Sequence, residues 1–94
     1  HHKAEEKGAV FERLLADHPQ VLEIRRAGLL LAIELGVPEK LYRLMELFKE
    51  AGVMSDWFLY CDTAFRISPP LTISEAEIEE CCQIIRRCLD ELPR

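Results

Sequence analysis

One stretch, AFRISPPLTISEAEI, constrains the fold more than any other, because a strand, a compulsory break and a helix start follow one another directly. Alternation over residues 64–68 predicts a strand with Phe65 and Ile67 on one face and Arg66 on the other. The two prolines that follow have no backbone N–H to donate, so strand pairing cannot continue through them. The stretch therefore predicts an arginine at the end of a strand, beside a rigid turn.

The helix start is marked by a capping box. Ser74 is the predicted N-cap, and Glu77 stands three residues later, where its side chain can reach back to the cap. Ile73 and Ile78 flank the box in the positions of a hydrophobic staple. The core stripe expected for this helix is Ile78, Cys81 or Cys82, Ile85, Leu89 and Leu92.

Two further helices are predicted upstream. One covers residues 4–17, with Gly8 expected to weaken its middle, and the other runs from Pro38 to a stop at Gly52. The expected core stripe of the first is Val10, Phe11, Leu14 and Leu15, and that of the second is Leu41, Leu44, Met45 and Phe48.

The remaining segments are predicted to be extended. Residues 21–35 are interpreted as one strand whose apolar phase slips by one at Gly28, as at a β-bulge. Residues 53–60 are interpreted as a second strand, or a strand and a loop, before a turn. The order of elements predicts an α+β fold in which a small, mainly antiparallel sheet of about three strands carries helices on one face. The opposite face, with Leu30, Ala32 and Arg66, is expected to be uncovered.

Length and charge limit the possible functions. The 94 residues suffice for one small domain, and the net charge of -5 argues against nucleic acid or an anionic membrane as partner. No apolar run approaches the roughly 18 residues that span a bilayer.

His1 and His2 are interpreted as the remnant of a purification tag, which leaves residues 3–94 as the domain and suggests a piece of a longer protein.

Four cysteines, Cys61, Cys81, Cys82 and Cys88, are interpreted as reduced, which suggests the cytoplasm. One alternative is a metal site formed by Cys81, Cys88 and His18 or Cys61, although the spacing matches no usual zinc pattern. Another is a small hydrolase that pairs Cys61 with His18, for which the sequence offers only the two residues.

Three segments, EIRRAGLLLAIEL, LFKEAGVM and FRISPPLTISEAEIEE, resemble in order and spacing the C-terminal segment of class III aminotransferases, which are fold type I enzymes that use pyridoxal phosphate. The resemblance covers residues 11–92 and is strongest where an arginine precedes Pro-Pro-Leu and a capped helix. The chain departs from the family at Arg25-Arg26, where Arg-Gly is usual, and at Ala32, where glycine is frequent.

The resemblance implies specific roles. Arg66 matches the arginine that binds the carboxylate of the amino-acid or 2-oxo-acid substrate, the amino acid being of the ornithine or acetylornithine type. The partners implied are the large catalytic domain of the same parent chain and a second subunit of a homodimer. None of the lysines matches the cofactor lysine, so pyridoxal phosphate is expected to be bound by the parent enzyme and not by this chain alone. The lysines are Lys3, Lys7, Lys40 and Lys49.

Two alternatives remain open from the sequence. Arg66 could form a salt bridge with a surface Asp or Glu of its own chain. The whole chain could be a free-standing α+β module that binds a protein or a small ligand through its open sheet face.

Overall fold

The computed structural model describes residues 1–53 and 55–94. These residues form three α-helices, one short 3-10 turn at Ser55–Trp57 and four strands. In chain order the elements are α1 (His2–Leu15), β1 (Glu23–Ala27), β2 (Leu30–Glu34), α2 (Pro38–Ala51), β3 (Phe58–Cys61), β4 (Ala64–Ile67) and α3 (Glu75–Asp90).

The strands form one antiparallel sheet in the order β1-β2-β4-β3. The three helices pack on one face of it, with α3 in contact with both α1 and α2. The predicted α+β class and the helices on a single face are confirmed, and the sheet has four strands where about three were expected. The predicted extended segment 53–60 includes residue 54, which lies outside the described residues. Its second half forms β3.

The additional strand comes from residues 21–35, where the predicted single strand with a bulge is wrong. β1 and β2 form a hairpin with Gly28 and Leu29 as its two-residue loop, because Ala27 pairs directly with Leu30. Gly28 has a positive φ of 59°, as the first central residue of a type II′ turn does. Ala27 and Leu30 face the same side of the sheet although they are three positions apart in the sequence, which produces the phase slip.

The core lies between the sheet and the helices. Its sheet side is formed by Leu31, Ile33, Phe65 and Ile67, which are fully buried. On α2 the predicted stripe is wrong at Met45, which is 37% exposed, whereas Leu47 is 3% exposed. Because α2 also packs against α3, its buried stripe turns toward that helix.

The predicted start of α3 is confirmed. The Ser74 hydroxyl accepts a hydrogen bond from Glu77 N at 3.1 Å, and Ser74 N donates to Glu77 Oε1 at 2.9 Å. Ile73 and Ile78 are both buried on the core side of this capping box. Of the two adjacent cysteines, Cys82 is the one in the core stripe.

α1 is held against the β1–β2 turn by a close backbone contact. Gly8 is buried there, and a Cβ at this position would lie 1.9 Å from the carbonyl oxygen of Gly28. Arg26 Nε donates to Glu12 at 2.9 Å and Arg26 Nη1 donates to Glu5 at 3.1 Å, so two carboxylates of α1 hold the same turn. The glycine predicted to weaken the helix therefore permits the packing of α1.

Candidate functional site

The face of the sheet opposite the helices, here called the open face, carries Arg66. The strand register aligns one row of side chains across it, formed by Arg25, Ala32, Arg66 and Leu59. Leu59 is 63% exposed and Leu30 is 48% exposed. The expectation that this face is uncovered is confirmed for the part of the chain that the structure describes.

Arg66 lies on an inner strand with uncharged side chains directly opposite it. Its cross-strand neighbours are Ala32 on β2 and Leu59 on β3. Over residues 1–53 and 55–94, no carboxylate lies within ion-pair distance of its guanidinium, so the alternative of an internal salt bridge is not formed. By contrast, Arg86 binds Asp17 at 2.7 Å. The Arg66 guanidinium is therefore exposed and permanently charged, and its planar set of N–H donors can bind a planar anion such as a carboxylate.

A shallow depression of about 310 Å³ lies beside Arg66 on this face. Its lining includes Arg25 on one side, Arg66 on the other and the small Ala32 between them. Leu30 contributes an apolar wall. The depression thus combines positive charge with apolar surface, which suits a small carboxylate that also has an alkyl part.

Glu34 is a second polar feature of the open face that the sequence did not indicate. Its Oε2 accepts hydrogen bonds from the Thr63 hydroxyl and from Gly36 N, the latter at 2.9 Å. Its Oε1 lies 3.4 Å from Arg25 Nη2. These contacts, led by the Thr63 hydroxyl, lower the pKa of Glu34 from its ordinary value of 4.5. Only the strand register, which joins residues 29 positions apart, brings this group together.

The turn after β4 holds the end of the strand in place. Ser68 N donates to the carbonyl of Trp57 at 2.8 Å, which extends the β3–β4 pairing by one residue. Pro69 is buried, and Ile73 N donates to the Pro70 carbonyl at 3.0 Å. The backbone that carries Arg66 is therefore bounded by a closed turn, as the two prolines predicted.

The His18 ring is fully occupied, which removes it from the two alternative sites. Its Nε2 lies 2.7 Å from Asp90 Oδ1, and its Nδ1 accepts from Gln20 N at 3.1 Å. The Nδ1 lone pair is used by the Gln20 N–H, and Nε2 is directed at the Asp90 carboxylate. Neither ring nitrogen therefore has a lone pair left for a thiol or a metal ion. The Cys61–His18 pair is therefore not formed, and the described residues contain no cluster of three or more His, Cys, Asp or Glu that could hold a metal ion.

The comparison with known proteins decides the family. Residues 2–89 match the family described as aminotransferase class III. This match covers far more than half of the chain. The chain belongs to the class III aminotransferases.

Two curated relatives show what share of a whole aminotransferase this chain covers. Ornithine aminotransferase of Bacillus cereus (strain Q1) is 37% identical over 73 residues, which are 78% of this chain and 17% of the relative. Putrescine–pyruvate aminotransferase of Pseudomonas aeruginosa is 39% identical over 88 residues, with 82% of this chain and 18% of the relative covered. The chain spans less than a fifth of the length of these relatives.

Solved aminotransferases have the same fold over nearly the whole chain. Ornithine delta-aminotransferase of Plasmodium falciparum superposes with a TM-score of 0.75 and 30% identity, covering 94% of this chain and 24% of that one. Acetylornithine aminotransferase of Elizabethkingia anophelis gives a TM-score of 0.77 and 28% identity, covering 96% and 24%. The match to this class thus extends from the sequence to the arrangement of the sheet and helices.

The ionisable groups on the helix side of this class III domain are separate from Arg66. All four lysines lie on α1 and α2, across the sheet from the open face. Burial raises the pKa of the Cys81 thiol to about 11 and that of Cys82 to about 12, so both are neutral at physiological pH.

No helix among the described residues combines the length and the hydropathy needed to cross a membrane.

Proposed function

We propose that this chain is the C-terminal small domain of a cytoplasmic, homodimeric class III transaminase. The parent enzyme transfers an amino group between an amino acid of the ornithine or acetylornithine type and a 2-oxo acid. Support for the substrate class comes from the names of the relatives, which include ornithine and acetylornithine aminotransferases. In this proposal Arg66 binds the substrate carboxylate.

The observation that carries the proposal is the unpaired guanidinium of Arg66 on the open face. A guanidinium binds a carboxylate through two parallel N–H···O bonds, which fixes both the distance and the plane of the bound group. Arg25, in the same row, already binds Glu23 at 2.9 Å, so Arg66 is the arginine of that row with its donors available. Binding of this kind positions a substrate without taking part in its chemistry.

The cofactor belongs to the rest of the enzyme in this proposal. Pyridoxal phosphate acts as an electron sink for the transfer of the amino group, and it requires a lysine close to the substrate. The lysines described here lie on the helix side of the sheet, so they do not meet that requirement beside Arg66. The residues present therefore fit a domain that binds substrate and leaves the cofactor to the large catalytic domain.

The open face would meet that large domain. Leu30 and Leu59 are large apolar side chains that face solvent on either side of Arg66. Burying them against a second domain would stabilise the contact and would also remove water from around the guanidinium. An ion pair between Arg66 and a substrate gains strength when water is excluded from it.

The test is Arg66→Ala in the full-length enzyme. Loss of a bidentate, charge-assisted pair in a desolvated site leaves the substrate carboxylate unpaired, and we expect kcat/KM to fall by about 30-fold to several thousand-fold. Arg66→Lys should recover only part, because an ammonium lacks the planar fork. The matched control is Arg13→Ala, since Arg13 is an exposed arginine on α1.

Cofactor occupancy, read from absorbance, separates the possible outcomes. Normal occupancy with a reduced kcat/KM supports binding of substrate by Arg66. An unchanged kcat/KM would remove Arg66 from the site, and loss of cofactor together with activity would assign it a structural role.

A further inference from the structure

Glu34 is the carboxylate that stands nearest to Arg66 in the strand register. Arg66 pairs with Ala32, and Glu34 lies two residues beyond Ala32 on the same face of β2. Such diagonal neighbours in an antiparallel pair are about 7–8 Å apart at their backbones, within reach of long side chains. An internal ion pair between Arg66 and Glu34 is therefore available to the chain.

Arg25 has the same relation to Glu34 from the other side. It also pairs with Ala32, so Glu34 is diagonal to one arginine on β1 and to another on β4. Of these two arginines, the carboxylate contacts only Arg25, at 3.4 Å. The strand register alone does not explain why Glu34 contacts Arg25 and not Arg66.

The hydrogen bonds of Glu34 explain it. Its Oε2 accepts from the Thr63 hydroxyl and from Gly36 N, which hold the carboxylate at the end of the sheet where the β3–β4 turn lies. Leu35 N donates to the Thr63 carbonyl at 3.0 Å, so the backbone fixes Thr63 beside β2. With Arg25 beside Oε1 at 3.4 Å, each carboxylate oxygen contacts a donor other than Arg66.

We infer that Thr63 and Arg25 are positioning residues that hold Glu34 away from Arg66 and so keep its guanidinium available for a substrate carboxylate. The use of the free guanidinium rests on the proposed function, whereas the restraint on Glu34 is a property of this chain alone. If the restraint is released, Glu34 should compete with substrate as an internal anion.

The first experiment measures the restraint in this 94-residue chain. The variants are Thr63→Val, which removes the hydroxyl, Thr63→Ser, which keeps it, and the double variant Thr63→Val with Glu34→Gln. The readout is the chemical shift and water exchange of the Arg66 Nε–Hε group by NMR. We expect Thr63→Val to shift this signal and slow its exchange, Thr63→Ser to match the wild type, and the double variant to restore the wild-type signal.

A signal that does not move in Thr63→Val, or that moves equally in the double variant, would overturn the inference. Arg25→Gln removes the second restraint and provides an independent test if Thr63→Val does not fold. In Arg25→Gln we expect the same shift of the Arg66 Nε–Hε signal, and adding Glu34→Gln should again reverse it.

The second experiment measures the consequence in the full-length enzyme. An ion pair between Arg66 and Glu34 would compete with the substrate carboxylate for the guanidinium. A solvent-exposed pair of this strength would raise KM about two- to five-fold, and a pair in the desolvated site of the full-length enzyme should raise it by at least that much in Thr63→Val, with kcat unchanged. Adding Glu34→Gln should return KM to the wild-type value. If the NMR signal shifts as expected but KM does not, the restraint exists and its functional role is refuted. Failure of the proposed function itself would appear separately, as an unchanged kcat/KM in Arg66→Ala.

Discussion

Replacing Gly8 by alanine tests the packing of α1 against the sheet, because helix propensity and tertiary structure predict opposite signs. Alanine is favoured over glycine within a helix by about 1 kcal/mol, so the sequence alone predicts that Gly8→Ala stabilises the protein. In the structure the new Cβ would lie 1.9 Å from the carbonyl oxygen of Gly28. Real contacts of this kind are not closer than 3.0 Å, so α1 and the β1–β2 turn must separate by about one ångström.

The size of the effect follows from what that separation would loosen. Phe11 and Leu15 are fully buried on the same helix, and a gap of about one ångström forfeits a quarter to a half of each dispersion contact. Overpacking that forces a backbone shift typically costs about 1–3 kcal/mol, and a rigid carbonyl places this site near the upper end. After the gain in helix propensity, we expect a net loss of about 2 kcal/mol, equivalent to a decrease of about 10 °C in Tm.

The assay is denaturant unfolding followed by circular dichroism, together with a thermal scan. Ala9→Gly is the matched control, since Ala9 is exposed on the same helix and should lose only the propensity term of about 1 kcal/mol. A Gly8→Ala protein as stable as the wild type, or more stable, would refute the close packing of α1 on the Gly28 turn.

Two further predictions concern the cofactor and acid. Incubation of the isolated chain with pyridoxal phosphate and borohydride should give no stoichiometric adduct at a single lysine, because the lysines lie on α1 and α2. Mass spectrometry that finds one such adduct would contradict the assignment of the cofactor to another domain. Since the folded-state pKa of Glu34 is lowered, its contribution to stability is present above the ordinary value of 4.5 and should be lost as pH falls through the folded-state pKa. Unfolding measured between pH 7 and pH 3 should show a weaker acid dependence in Glu34→Gln, and an unchanged dependence would disprove this contribution.

The elements with local signals could be predicted from the sequence. The strand, the two prolines and the capping box of α3 lie within a few residues of one another, and each restricts the backbone by itself. The hairpin at Gly28 was missed because a glycine and a phase slip fit a bulge and a tight turn equally well. Only pairing between strands separates those two cases, and pairing is not local.

The candidate site also combines features that the local sequence predicts with features that depend on the pairing of distant strands. Alternation in β4 predicted that Arg66 faces away from the helices, which the structure confirms. The hydrogen bonds of Glu34 with Thr63 and Arg25 depend on the register of three strands, which no local pattern contains. Gly8 was misjudged for a related reason, since its role is set by the Gly28 turn from another part of the chain.

The position of β4 inside the sheet has a consequence for the thermodynamics of the carboxylate binding proposed for Arg66. β4 pairs with β2 on one side and with β3 on the other, so the segment that carries Arg66 should belong to the slowest-exchanging amides of the domain. A carboxylate that docks there does not have to order a loop. The conformational entropy lost by the protein is then confined to the rotamers of one arginine side chain, about 2 kcal/mol at most.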